Sequence, residues 1–205
     1  MKKSVGLLFV FIACAPQNSY LDEFFMDYFP LKTGMSWVFL SSDGREVRME
    51  VVSDTIVNPQ TNRYVVELMG DLNYFLKSKD GMFLEYDFSE IVNNQSIVFD
   101  EDVLPLFYQP VFKGQFFADT VSRVITIVGD RVYYRRLFFS EVSKGAFGRV
   151  HLRYRVQNSV AIGEVEKYMD QCFFYVLAPD TGPVFIQRVT DCDTINFNLI
   201  EFKAK

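Results

Sequence analysis

The sequence predicts a mainly β protein, an antiparallel meander forming a sandwich, a half-barrel or an open barrel, with one short amino-terminal helix. Three observations carry this. Apolar residues recur at every second position from Trp37 onward. Turn signals recur between the runs, at Asp43-Gly44, Asn58-Pro59, Asp80-Gly81 and Gly129-Asp130. The connections are short, so successive strands are hairpin neighbours and pair antiparallel.

The first element is not part of that fold. Met1-Lys2-Lys3-Ser4 precedes the short apolar run Val5 to Ala13, which has the charge and length of a secretory signal and is too short to span a bilayer permanently. Phe11-Ile12-Ala13-Cys14 resembles the lipobox of bacterial lipoproteins, with Phe11 where that family usually has an aliphatic residue. The resemblance implies removal of residues 1–13, acylation of the Cys14 thiol and a new, lipid-bearing amino terminus. Ala15, in place of aspartate, is what that family's sorting rule associates with the outer membrane.

Residues 14–19 then form a lipidated tether, and 20–205 form a single β-rich domain, divisible into meander halves at about 28–100 and 108–205. Ser19, Asp22 and the spacing of Leu21, Phe24, Phe25 and Tyr28 predict a short helix ended by Pro30, placed to plug one end of the core. Strands are expected over Trp37 to Ser41, around Val47 to Val51, Tyr64 to Met69, Tyr74 to Lys79 and Met82 to Phe88. Ser89 to Gly114 reads as irregular. Further strands follow over Ser122 to Val128, Arg131 to Val142, Arg149 to Val160, Gln171 to Leu177, Val184 to Val189 and Ile195 to Lys203. Pro30, Gly34 and Trp37 share their spacing with Pro110, Gly114 and Phe117, which fits two facing meanders or coincidental loop chemistry.

Two longer motifs extend the resemblance. Tyr28-Phe29-Pro30-Leu31-Lys32-Thr33-Gly34-Met35-Ser36-Trp37-Val38-Phe39 resembles the "YFPLKxGxxWxY" opening of uncharacterised bacterial β-rich lipoproteins. Tyr175-Val176-Leu177-Ala178-Pro179-Asp180-Thr181-Gly182-Pro183-Val184 resembles their "YxxAPGxGxV" turn, with Asp180 in place of a glycine, and Gly163 through Cys172 is similar to a shortened form of their "AGxFxxC" segment. These motifs are structural, and the family they imply has no established activity.

Charge narrows the partners. With 21 basic and 26 acidic residues the formal charge is −5, and loss of Lys2 and Lys3 makes it −7. An acidic chain is a poor ligand for nucleic acid, whose binding needs clustered Lys and Arg. The expected partners are the membrane, through the lipid, and envelope proteins or a hydrophobic ligand. Cys172 and Cys192 remain after lipidation, flanking the hairpin at 178–183, and read either as a cross-strand disulfide or as two buried thiols.

Chemistry is sparse. The sequence has no HExxH, P-loop, GxSxG, CxxC or strand-following GxGxxG, and its single histidine, His151, would have to serve every imidazole role. The chain therefore reads as a non-enzyme without cofactor or metal. Asp100-Glu101-Asp102 lacks the spacing of a calcium loop and reads as a solvated loop. Carboxylates such as Glu164 and Glu166 are what a hydrolase reading would need. Arg149, His151, Arg153 and Arg155 alternate with Val150, Leu152, Tyr154 and Val156, and so share one strand face. That row is either a solvated face paired with Glu164 or Glu166, or an anion site in which guanidinium groups grip a carboxylate or lipid phosphate.

Aromatic residues are in excess, with 22 Phe and 11 Tyr. They fill a thick core, or they line a cavity for an acyl chain or similar ligand. Phe83, Phe107, Tyr108, Phe116, Phe117, Phe138, Phe139, Phe173 and Phe174 are the candidate lining. Neighbouring rings there fall on opposite sheet faces, which requires two covered faces, a ligand or a partner.

Overall fold

Among the described residues, twelve antiparallel strands form one sheet in the order β6-β5-β4-β3-β2-β1-β12-β11-β10-β9-β8-β7. They are β1 (Ser36–Ser41), β2 (Glu46–Asn58), β3 (Thr61–Leu68), β4 (Asp71–Ser78), β5 (Gly81–Val92), β6 (Gln95–Tyr108), β7 (Gln115–Ile127), β8 (Asp130–Lys144), β9 (Val150–Ile162), β10 (Val165–Ala178), β11 (Gly182–Val189) and β12 (Thr194–Lys203). The structure is a computed structural model that describes residues 27–92, 95–109, 114–127, 130–190 and 193–204. β1–β6 and β7–β12 are two six-stranded meanders, joined in mid-sheet where β1 pairs with β12. β6 and β7 are the sheet's two edges, yet β6 also meets β7, β8 and β9, so the sheet coils into a nearly closed barrel with a seam between β6 and β7.

Alternation decides which side chains face inward. In β2, Met49 and Val51 are buried while Arg48 is exposed; in β9, Val150, Leu152, Tyr154 and Val156 are buried, and the residues between them face outward. The interior is packed with large side chains, Trp37, Phe39, Phe107, Phe197, Met49 and Met82 among those fully buried. A second cluster of Phe88, Phe99, Ile127, Val132, Tyr134 and Val160 fills the other end. An apolar interior with Arg48, Glu67 and Asp87 exposed on β2, β3 and β5 is the reverse of a membrane-spanning barrel, whose outward face is apolar. No helix among the described residues is long and apolar enough to cross a membrane.

Residues 27–35 form a strap across one end of the barrel. Phe29 inserts between Trp37, Phe75 and Tyr175, at ring separations of 6.5, 5.8 and 6.3 Å, and so bridges strands from both meanders. Lys77 Nζ holds the Asp27 carboxylate and donates to the Phe29 carbonyl at 2.8 Å. The two sequence motifs meet here. The Asp180 amide donates to the Asp27 carbonyl at 2.8 Å, Trp37 Nε1 donates to the Thr181 carbonyl at 2.6 Å, and Gly182 packs against Pro30 and Trp37. Asp180 has φ +56, the left-handed conformation that a glycine takes at least cost, so the backbone keeps the glycine geometry without the glycine.

The structure corrects two readings. The described residues hold no α-helix: the expected helix falls largely outside them, and at its end Tyr28 and Phe29 form a bend within the strap, both buried. The stretch expected to be irregular, Ser89 to Gly114, is mostly strand, with β5 running to Val92 and β6 filling Gln95–Tyr108. Bulges at Phe88/Ser89 and Met82/Phe83 break the period-two pattern there, and Pro105 and the acidic triplet hide a strand from propensity reasoning. Among the described residues, twelve strands therefore replace the eleven that alternation predicts.

Candidate functional site

The antiparallel register stacks outward-facing side chains of β8 to β11 into rows. One row runs Glu141, Arg153, Phe174, Gln187; the next, toward the strap end, runs Ser143, His151, Val176, Phe185; and a third runs Phe139, Arg155, Cys172, Val189. Between these rows lies a groove of about 420 Å³, lined by Glu141, Ser143, His151, Arg153, Cys172, Phe174, Gln187 and Val189. Phe174 and His151 are the rings that line it, with Phe185 and Phe139 beside them. His151 meets Phe174 edge-on at 5.6 Å, Phe174 meets Phe185 at 6.2 Å, and the Arg153 guanidinium lies 5.7 Å from the Phe139 ring centre. Gly145 makes room for the imidazole: a Cβ there would stand 2.7 Å from His151 Nε2.

The four cationic candidates separate into three roles. Arg155 is bound by Asp170, its Nε donating to Oδ1 at 2.8 Å while Nη2 pairs with Oδ2. That bond holds the Asp170 carboxyl below its ordinary range and raises Arg155 further. The partner is Asp170, not Glu164 or Glu166, which lie exposed at and just beyond the β9–β10 turn. Arg149 sits outside the groove, where the 146–148 turn leads into β9. His151 and Arg153 alone line it. Arg153 stands directly opposite Glu141, yet neither makes an ion pair among the described residues, so both charges face the groove.

The nine aromatic candidates do not converge on one cavity. Phe107, Phe138 and Phe173 are core residues. Phe174 belongs to the groove, with Phe139 stacked between Arg153 and Phe116, whose ring is 66% exposed. Phe83, Tyr108 and Phe117 form an edge-on chain at the seam, with separations of 5.6 and 5.2 Å. Cys172 is a buried free thiol opposite Val189, and Cys192 lies outside the described residues, as does Cys14.

One cluster escaped the sequence reading. Arg136, wholly buried on β8, reaches three aspartates, Asp100 and Asp102 across the seam on β6 and Asp119 on the neighbouring β7. Its Nη2 donates to Asp102 at 2.9 Å and Asp119 at 2.7 Å, and Nη1 lies 2.8 Å from the buried Asp100. Asp100 in turn lies 3.1 Å from the Tyr134 hydroxyl and 3.2 Å from Arg123, while Asn158 joins Tyr134 to Tyr86. Burial drives the Tyr86 phenol up to about 12 and Tyr134 higher still. Burial would also raise Asp102, but its bond to Arg136 outweighs this and lowers it. The triplet read as a solvated loop thus anchors a buried guanidinium. The signal was present: Arg136 sits in phase with Val132, Tyr134, Phe138 and Val142, one charge on an otherwise inward face. The described residues contain no cluster of His, Cys, Asp and Glu suited to a metal ion.

No known family model matches this sequence, and no curated protein matches it significantly. Among solved structures it is similar to a candidate lipoprotein of Parabacteroides distasonis ATCC 8503, at 13% identity and a TM-score of 0.39 over 87% of this chain and 99% of that one. It is also similar to a candidate exported protein with a YmcC-like fold from Bacteroides fragilis NCTC 9343, at 11% identity and a TM-score of 0.32 over 87% of this chain and 100% of that one. Likeness at this level carries no functional inference.

Proposed function

We propose that this chain is an exported, lipid-anchored module of the bacterial cell envelope that binds a ligand without transforming it, and that the groove between β8 and β11 takes an amphiphile with a zwitterionic head. The address rests on residues 1–14, and Ala15 supports the outer membrane. The ligand class rests on one observation: Arg153 and Glu141 face each other unpaired above Phe139 and Phe174. A guanidinium suits a phosphate or carboxylate, a carboxylate suits an ammonium, and the rings accept the apolar body. The packed interior favours a surface site over an internal lipid cavity.

Two experiments test this. In cells, Cys14→Ser should yield protein without acyl groups, released from membranes; a product still acylated would overturn the anchor. Calorimetric titration of the chain 15–205 with monomeric dodecylphosphocholine should show saturable binding. Arg153→Ala should weaken it about tenfold or more, the worth of a charge-assisted hydrogen bond. Unchanged binding in that variant, or no binding at all, would remove the groove from the reading.

A further inference from the structure

The barrel has two unlike ends. Strand directions place the strap, the starts of β1 and β9, the end of β12 and the turns at 58–61, 78–81, 145–149 and 178–182 together at one end. The tether arrives at this end, since Asp27 is bound there by Lys77 and Asp180. From Cys14 to Asp27 the chain can reach at most about 45 Å.

The β8–β9 tip at this end is Lys144-Gly145-Ala146-Phe147-Gly148-Arg149. Phe147 is 96% exposed and takes φ +58, a conformation rare and strained for a bulky residue. The backbone thus holds an aromatic ring out in solvent, between two cations. Charge is divided along the same axis. The turns at the tether end and the neighbouring strand ends carry Lys32, Lys77, Lys79, Lys144, Arg149 and Lys203 against Asp27, Asp54, Asp80, Asp180 and Glu201, with Lys77 bound to Asp27 and Lys203 to Glu201. The turns and strand ends at the far end carry Asp43, Glu46, Asp71, Glu164 and Asp193 against Arg45, Arg131 and Arg188, the last beside Asp71. The acidic excess of the whole chain is thus absent where its tether arrives and concentrated at the opposite end.

We infer that this tether end is a docking face for an anionic phospholipid surface, with Phe147 as its apolar contact and the surrounding Lys and Arg as its electrostatic one. Aromatic rings flanked by cations settle at the headgroup boundary, the ring on the acyl side and the charges among the phosphates. The far end is repelled by the same surface, so docking also orients the barrel. The inference rests on the anchor reading only for its setting: the tether would keep the face within reach of lipid, where even a weak contact is occupied.

The test uses the chain 15–205, which carries no acyl group, floated with vesicles of phosphatidylglycerol and phosphatidylethanolamine or of phosphatidylcholine alone. Binding is expected to the anionic vesicles, to fall as salt rises, and to weaken about fivefold for each basic residue neutralised, as in Arg149→Gln or Lys79→Gln. Phe147→Ser should weaken it as well, and in Phe147→Trp the new indole, read against the buried Trp37, should shift its emission to the blue on vesicle addition. Equal binding to both vesicle types, binding indifferent to these substitutions, or an indole emission in Phe147→Trp that stays solvent-like on vesicles would overturn the inference. Failure of the anchor would appear only in the Cys14→Ser experiment in cells, so the two readings fail separately.

Discussion

Gly182 is the residue on which the amino-terminal strap closes against the β10–β11 turn. Its φ is +84, and a Cβ there would stand 3.2 Å from Pro30 and 3.3 Å from Trp37. Gly182→Ala should therefore cost about 1–2 kcal/mol from the left-handed backbone alone, with further loss from crowding the strap. Urea unfolding followed by the fluorescence of Trp37, the only tryptophan, would measure it; a wild-type midpoint would show that the strap gives way freely. Both motifs were legible in the sequence as separate patterns. Their contact was not, because Trp37 and Thr181, 144 positions apart, are joined by packing rather than by spacing.

At the scale of elements, β6, β7 and β8 are held by side chains where backbone pairing ends. Gln115 lends its amide to both the amide and the carbonyl of Tyr108, each at 2.8 Å, and Ser140 Oγ donates to the Leu106 carbonyl at 2.6 Å. These bonds satisfy part of an edge that would otherwise stay open. Arg136 ties β8 to Asp100 and Asp102 of β6 across the seam. Arg136→Met should destabilise by about 3 kcal/mol by removing the buried partner of Asp100 and leaving that carboxylate to the half-exposed Arg123 and the Tyr134 hydroxyl, and Asp100→Asn added to it should recover much of the loss. Unfolding free energies that simply add across the two substitutions would contradict this coupling.

The ion pairs also set an acid limit. Asp170, through its bond to Arg155, and Asp102, where the Arg136 bond outweighs burial, both have lowered pKa values in the folded state. A lowered carboxylate stabilises the fold above its unfolded pKa and loses that contribution as pH falls through the folded value. The melting temperature should thus stay level down to about pH 5 and decline below about pH 4. Asp170→Asn should flatten part of that decline; a variant curve parallel to the wild type would exclude this pair as its source.

For the whole molecule, two meanders meet by backbone pairing at β1 and β12 and, among the described residues, by side-chain contacts across β6 and β7. Cooperativity should follow that division. Native-state hydrogen exchange is expected to be slowest in β1, β12 and their neighbours and fastest along the free edges of β6 and β7, because an unpaired edge opens without breaking a ladder on its far side. Uniform protection around the barrel would mean that the seam closes in solution. By itself the sequence determined the class of fold, most strand positions and the face on which His151 and Arg153 lie, since each depends on local periodicity. Only the tertiary structure decided barrel over sandwich, the strand through Asp100-Glu101-Asp102, the division of nine aromatic candidates among core, groove and seam, and the choice of Asp170 for Arg155. Those outcomes depend on register and on sheet closure, which bring together residues distant in the chain and leave no mark at fixed spacing.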